Sequence, residues 1–128
     1  MKKLALLASV LLLLSPLAKA GEVSPTEFWQ MAGNPDSVIV DVRTSGEFSS
    51  GHIEKALNIP YEQIARLGDV VADKSAPILL YCRSGRRADV AEQTLRGMGY
   101  TNISNGMSYN LLMLKSRSDA SSKIKMPG

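Results

Sequence analysis

Tyr81-Cys82-Arg83-Ser84-Gly85-Arg86-Arg87 lies between an apolar run, Pro77 to Tyr81, and a run of helical spacing from Ala88 to Arg96. The short apolar run reads as a buried strand. Ser84 and Gly85 let the backbone fold back and turn its N–H groups inward. The helix that follows aims its positive end at the same point. This order of strand, loop and helix predicts a cradle for a thiolate with an anion beside it. Helix ends and neighbouring cations lower a cysteine pKa from its free value near ~8.5. Cys82 is the only cysteine in the chain. A solitary cysteine is usually a small buried hydrophobe. Three guanidiniums within five residues of it argue against that reading here.

Working outward, the chain opens on Met1-Lys2-Lys3, an apolar stretch from Leu4 to Leu14 broken only by Ser9, and Ala18-Lys19-Ala20. A basic start, a short apolar middle and small residues two apart predict an export signal over residues 1–20, cut after Ala20. The apolar stretch is short for a bilayer span, which takes about 20 residues. Of the 15 Lys and Arg residues, Lys2, Lys3 and Lys19 leave with the signal, so 12 basic residues face 12 acidic ones. The net charge of +3 belongs to the signal and implies no nucleic-acid binding and no stable membrane association after cleavage. The 108 remaining residues make one domain, expected over 21–114, with a polar tail over 115–128 that frays. One cysteine cannot form an internal disulfide, and an unpaired thiol is unusual in an oxidising compartment.

Ser24-Pro25-Thr26-Glu27 carries a capping box and a first-turn proline. It predicts a helix with Phe28, Trp29, Met31 and Ala32 toward the core, stopped at Gly33-Asn34-Pro35. Ser37 to Val42 is β-branched without alternation, as in a strand covered on both faces. Asp41 and Arg43 sit at its carboxyl end, the end that borders the ligand crevice in open α/β sheets. Separated by one residue, they share a side of the strand, and they read as a structural ion pair. Thr44 to Ser50 reads as a short capped helix and Ala56 to Pro60 as a short strand. His52 is the only histidine. As a base for Cys82 it has the right chemistry, but its ring reads better as fixing the turn at Gly51-His52-Ile53. Tyr61 to Leu67 predicts an amphipathic helix. Tyr100 to Ile103 predicts a last strand, Asn105-Gly106 a turn, and Met107 to Leu114 a final helix. One histidine and one cysteine are too few for a usual metal site, and no cofactor is expected.

Asp41-Val42-Arg43, Glu47-Phe48, Gly51-His52-Ile53, Ala56-Leu57-Asn58-Ile59-Pro60, the Cys82 loop and Gly97-Met98-Gly99-Tyr100, in this order, resemble the single-domain rhodaneses, the thiosulfate sulfurtransferases. With its signal, the chain is similar to the small periplasmic bacterial members. The resemblance implies an α/β fold: a rhodanese-like three-layer domain with a central, mostly parallel sheet flanked by helices. It implies a six-residue active loop, Cys82 to Arg87, with Cys82 catalytic and Arg83, Ser84, Gly85, Arg86 and Arg87 binding substrate. Asp41, Arg43 and His52 are then structural groups near the site. The implied reaction moves a sulfane sulfur from thiosulfate, or a similar donor, through a Cys82 persulfide to a thiol or to cyanide. A persulfide carrier without turnover is the alternative. A cysteine-dependent phosphatase or arsenate reductase fits less well, because such loops place their arginine where this chain has Ala88. The chain departs from the rhodanese pattern in two ways. A hydroxyl residue often follows the loop where Ala88 stands, and a glycine pair often stands where Asn105-Gly106 does.

Overall fold

The computed structural model describes residues 21–124. The predicted signal, residues 1–20, and the last four residues of the tail lie outside the described residues. Helix α1 spans Pro25–Ala32, strand β1 Val38–Asp41, helix α2 Ser45–Ser49, and strand β2 Leu57–Asn58. A 3-10 helix, Tyr61–Asp69, leads to β3, Ile78–Cys82. Helix α3, Arg86–Gly97, strand β4, Ile103–Ser108, and helix α4, Tyr109–Ile124, complete the order. The four strands form one sheet in the order β2-β1-β3-β4, every pair parallel.

Burial follows from the period of two along each strand. On one face Val40, Val42, Ile78, Leu80 and Cys82 meet Ile64 and Leu67 of the 3-10 helix and Ala88, Ala91 and Leu95 of α3. On the other, Ile39, Leu79 and Tyr81 meet Phe28 of α1 and Leu112 of α4. The sheet is therefore the middle of three layers, which is the expected α/β arrangement. Parallel strands covered on both faces read as continuous apolar runs, and β3 is buried at all five positions.

Both predicted N-caps form. Ser24 Oγ accepts from the Glu27 amide at 3.1 Å, and Glu27 returns the bond by accepting from the Ser24 amide at 2.9 Å. Trp29 donates from Nε1 to the Leu112 carbonyl at 2.9 Å, which ties α1 to α4. Met31, expected on the core face, is exposed instead.

Four expectations are corrected. The segment from Tyr61 is a 3-10 helix, and its buried residues, Ile64 and Leu67, are three apart as that helix requires. Tyr100 does not open a strand. Gly99, at φ +100°, ends α3 in a left-handed cap, and the Tyr100 amide then donates back to the Leu95 carbonyl at 3.1 Å. Strand β4 therefore starts at Ile103, opposite Ile78. Asn105-Gly106 is not a turn but the middle of β4. Gly106 is required there because a Cβ would run into the ring of Phe28. The last helix starts at Tyr109 and does not stop at Leu114: it continues through Lys115 to Ile124.

Candidate active site

Cys82 ends β3 at the carboxyl edge of the sheet, with no exposed surface. The chain then turns through Arg83 and Ser84 to Gly85, which stands at φ +102° and precedes the first residue of α3. That left-handed conformation is open to glycine at little cost. It turns the Gly85 amide back toward the strand, where it donates to Cys82 Sγ at 2.7 Å. The Gly85 carbonyl meanwhile accepts the first helical bond from the Asp89 amide at 2.9 Å. One glycine thus starts α3 and presents an amide to the sulfur. Cys82 packs among apolar side chains on one flank, but its sulfur also faces the loop.

A residue outside the loop covers it. Between Leu80 and Cys82 the pairing of β3 with β4 slips: Leu80 faces Asn105, whereas Cys82 faces Ser108. The extra residue is accommodated by Met107 at φ +70°. The Met107 side chain lies over Gly85, so that a Cβ there would strike its terminal methyl and come within 3.0 Å of its sulfur. Fully buried Asn105 holds this bulge. Its Oδ1 accepts from the Met107 amide at 2.8 Å, and its Nδ2 donates to Asp89 Oδ1 at 2.9 Å, in the first turn of α3. Asn105 thus joins β4 to the first turn of the helix that follows the loop.

The three arginines differ. Arg83 and Arg86 are exposed, as is Ser84. Arg87 is partly buried and donates from both terminal nitrogens to Glu47, at 2.8 and 3.1 Å. Glu47 is itself the third residue of α2, held by the Thr44 capping box. The Arg87 hydrogen bond, helped by the Thr44 cap, lowers the Glu47 pKa from 4.5 to about 2. The same carboxylate raises the pKa of Arg87, and the charge of the Cys82 sulfur acts in the same direction. Helix α2 therefore positions the cation that stands by the thiol. Ser84 and Met107 line a cleft of about 450 Å³ together with Val23, Pro25, Ser108 and Leu111.

Asp41 and Arg43 form the predicted ion pair: Arg43 Nη2 donates to Asp41 Oδ2 at 2.6 Å and Nε to Oδ1 at 3.0 Å. Nη2 also donates to the Gly51 carbonyl at 2.7 Å. The guanidinium lies 4.2 Å over the Tyr109 ring. Burial works against its charge, but Asp41 outweighs burial and the Arg43 pKa is raised. Burial also pushes the Tyr81 phenol up. This pair keeps company with Tyr81 and Tyr109, on the face of the sheet opposite the Cys82 side chain. His52 stacks on Phe48 with ring centres 3.6 Å apart, and its Nδ1 bonds the Phe48 carbonyl at 2.8 Å. These contacts are those of a turn.

Sequence reasoning missed Glu47 as the partner of Arg87, and it missed Asn105 and Met107 altogether. A capping-box glutamate carries no sign of a partner 40 residues away. Asn105-Gly106 signals a turn so strongly that its place in a strand was hidden.

Comparison with known proteins now bears on this geometry. Residues 24–107 match the model of the rhodanese-like domain. A putative mitochondrial thiosulfate sulfurtransferase of Schizosaccharomyces pombe is 38% identical over 85 residues, covering 57% of this chain and 60% of that protein. A tRNA uridine(34) hydroxylase of Photorhabdus laumondii is 33% identical over 92 residues, covering 67% of this chain but 26% of the other. The chain thus spans less than two thirds of either relative. The solved structure of a human single-domain sulfurtransferase superposes with a TM-score of 0.65 at 25% identity, over 76% of this chain and 98% of that one. The matched segment runs from the cap of α1 to the bulge over the loop, taking in the whole of the Cys82 cradle, and on that ground the chain belongs to the rhodanese-like family.

Proposed function

We propose that the chain is a thiosulfate sulfurtransferase. Family membership supports sulfurtransferase-type chemistry; thiosulfate as donor is the finer reading. The observation that carries it is the Gly85 amide on Cys82 Sγ at 2.7 Å, at the start of α3 and within the field of Arg87.

The Cys82 thiolate attacks the outer sulfur of thiosulfate. A sulfur–sulfur bond forms to Cys82, the bond to the sulfonate sulfur breaks, and its electron pair leaves with sulfite. The charge that was on the thiolate now sits on the terminal sulfur of the persulfide. The loop amides and the positive end of α3 stabilise that charge. A thiolate or cyanide then attacks the terminal sulfur and returns Cys82 to the thiolate. Such two-step transfer gives ping-pong kinetics. Exposed Arg83 and Arg86 attract the dianionic donor, and Arg87, fixed by Glu47, supplies a standing positive charge.

The signal-like start supports export to a bacterial periplasm as the setting for this reaction. Among the described residues, no helix is long and apolar enough to cross a membrane.

The test is a donor screen with purified protein, read by sulfite release, with Cys82→Ser beside the parent. Thiosulfate is expected to release sulfite and add about 32 Da, one sulfur atom, to Cys82. A Cys82→Ser protein that forms thiocyanate at the parental rate overturns the proposal. Sulfur loading without turnover, whatever the acceptor, would make the chain a carrier instead, and turnover of an aryl phosphate would favour phosphatase chemistry.

A further inference from the structure

Glu92 is a carboxylate buried in α3, 6% exposed, whose Oε2 accepts from Arg96 Nε at 2.9 Å. On its other side it meets the start of the described chain. A Cβ on Gly21 would collide with Oε2 and come within 2.8 Å of Oε1. Gly21 holds φ +88°, a conformation that side chains resist. Position 21 therefore resists a side chain on torsional grounds, and any side chain there would have to push the Glu92 carboxylate aside. A backbone nitrogen lies about 2.5 Å from its own Cβ position, which puts the Gly21 nitrogen within about 5 Å of the Glu92 carboxylate.

The segment is pinned in that place. The Gly21 carbonyl accepts from the Asn105 amide at 2.6 Å, and the Val23 amide donates to the Asn105 carbonyl at 2.9 Å. Glu22 thus pairs with Asn105 as a parallel bridge along the outer edge of β4. Asn105 is the residue whose side chain joins Asp89 and the Met107 amide.

We propose that Glu92 is the seat of a free α-ammonium group on Gly21, created when a leader peptidase cuts the chain between Ala20 and Gly21. The cleavage consumes one water. It leaves a carboxylate on Ala20 and, after protonation, an ammonium on Gly21. A neutral amide nitrogen beside Glu92 becomes a cation, and the buried carboxylate gains a second partner besides Arg96. Removal of the leader then strengthens the hold of residues 21–23 on β4, and so on the strand that carries Met107 over the cysteine loop. The residue this site favours is glycine, and the sequence rule for the leader places its cut before that residue. None of this depends on which sulfur donor the protein uses.

The test starts from the full chain, expressed with its leader in an exporting bacterium and purified. Intact mass and N-terminal sequencing are expected to find Gly21 first, with a free amine. Retention of the leader or a cut at another bond overturns the proposal. The purified protein is then acetylated selectively on its α-amine, in the parent and in Glu92→Gln. Acetylation is expected to lower the parental Tm by roughly 3 °C or more, and the Tm of Glu92→Gln by less than half as much. Equal losses overturn the proposal. If Glu92→Gln does not fold, the parent alone decides. Glu92 lies beside the amine, Arg96 bears on it through Glu92, and Asp89 is linked to the same segment through Asn105. The pH at which the α-amine becomes half-reactive toward acetylation is expected above the usual range of about 7.7–8.0 in the native protein, and within it in urea. A native value within or below that range overturns the proposal.

Discussion

Arg87 and Glu47 form a two-pronged ion pair, 2.8 and 3.1 Å long, that fastens the end of the cysteine loop to the short helix α2. A guanidinium held this way has a fixed direction as well as a charge. Of the three arginines around Cys82, it is the one built into the domain.

The pair makes stability depend on pH in a definite direction. The Glu47 pKa falls from 4.5 in the unfolded chain to about 2 in the folded one. Its contribution is therefore complete above pH 4.5 and is lost as pH falls toward 2. Both side chains are about a quarter exposed, and solvent screening keeps the contribution near 1 kcal/mol. Glu47→Gln is expected to lower the urea midpoint at pH 6 and to bring the pH 6 and pH 3 midpoints closer together than in the parent. An unchanged gap between the two pH values would mean that Glu47 is not the group responsible.

The arginines are expected to separate kinetically. Arg86→Ala raises the thiosulfate KM by about fivefold, the effect of losing roughly 1 kcal/mol of anion binding, with kcat little changed. Arg87→Ala lowers kcat as well, because it removes the fixed charge beside the sulfur. Arg117→Ala, on the exposed part of α4, changes neither. Steady-state kinetics on the three variants checks this, and three equal profiles would count against a directed anion site.

Gly85→Ala combines two faults, torsional strain at φ +102° and collision with the Met107 side chain. The first costs about 1 kcal/mol or more, and the second displaces the thioether. Sulfite release is expected to fall at least tenfold because the Gly85 amide leaves the Cys82 sulfur. Adding Met107→Ala removes the collision but not the strain, so the double variant recovers part of the lost stability. Full recovery of both stability and rate would show that the left-handed turn is unimportant.

Arg43→Ala is expected to unfold the protein more readily than any change in the loop. It leaves Asp41 as a buried charge without its cation, a change that costs about 3–5 kcal/mol. Chemical denaturation reads the loss. Arg43→Lys recovers little, since a lysine cannot bridge both Asp41 oxygens and the Gly51 carbonyl together.

What the sequence discloses here is mainly local. The Ser24 and Thr44 caps depend on residues three apart, and both form as read. The buried runs of β1 and β3 follow from composition alone, and so does the pairing of Asp41 with Arg43, two residues away. The Cys82 loop is legible because its thiol, glycine and helix start are contiguous. The misreadings share one cause. Tyr100 has the composition of a strand residue, but a cap bond to Leu95 fixes it, and Asn105-Gly106 has that of a turn, but pairing with Leu80 and Glu22 fixes it. The Glu47–Arg87 pair exists only once α2 and α3 lie side by side. Contacts made by tertiary assembly leave no mark on spacing.

Strand β3 stands between β1 and β4, and β4 is the last strand to be synthesised. A nascent chain that has reached Gly99 carries Cys82 with one edge of its strand bare and no thioether above Gly85. Without hairpins, every pairing also waits on a distant segment, the slow regime of folding. The covered Cys82 cradle is therefore completed late, only once β4 has been made and paired.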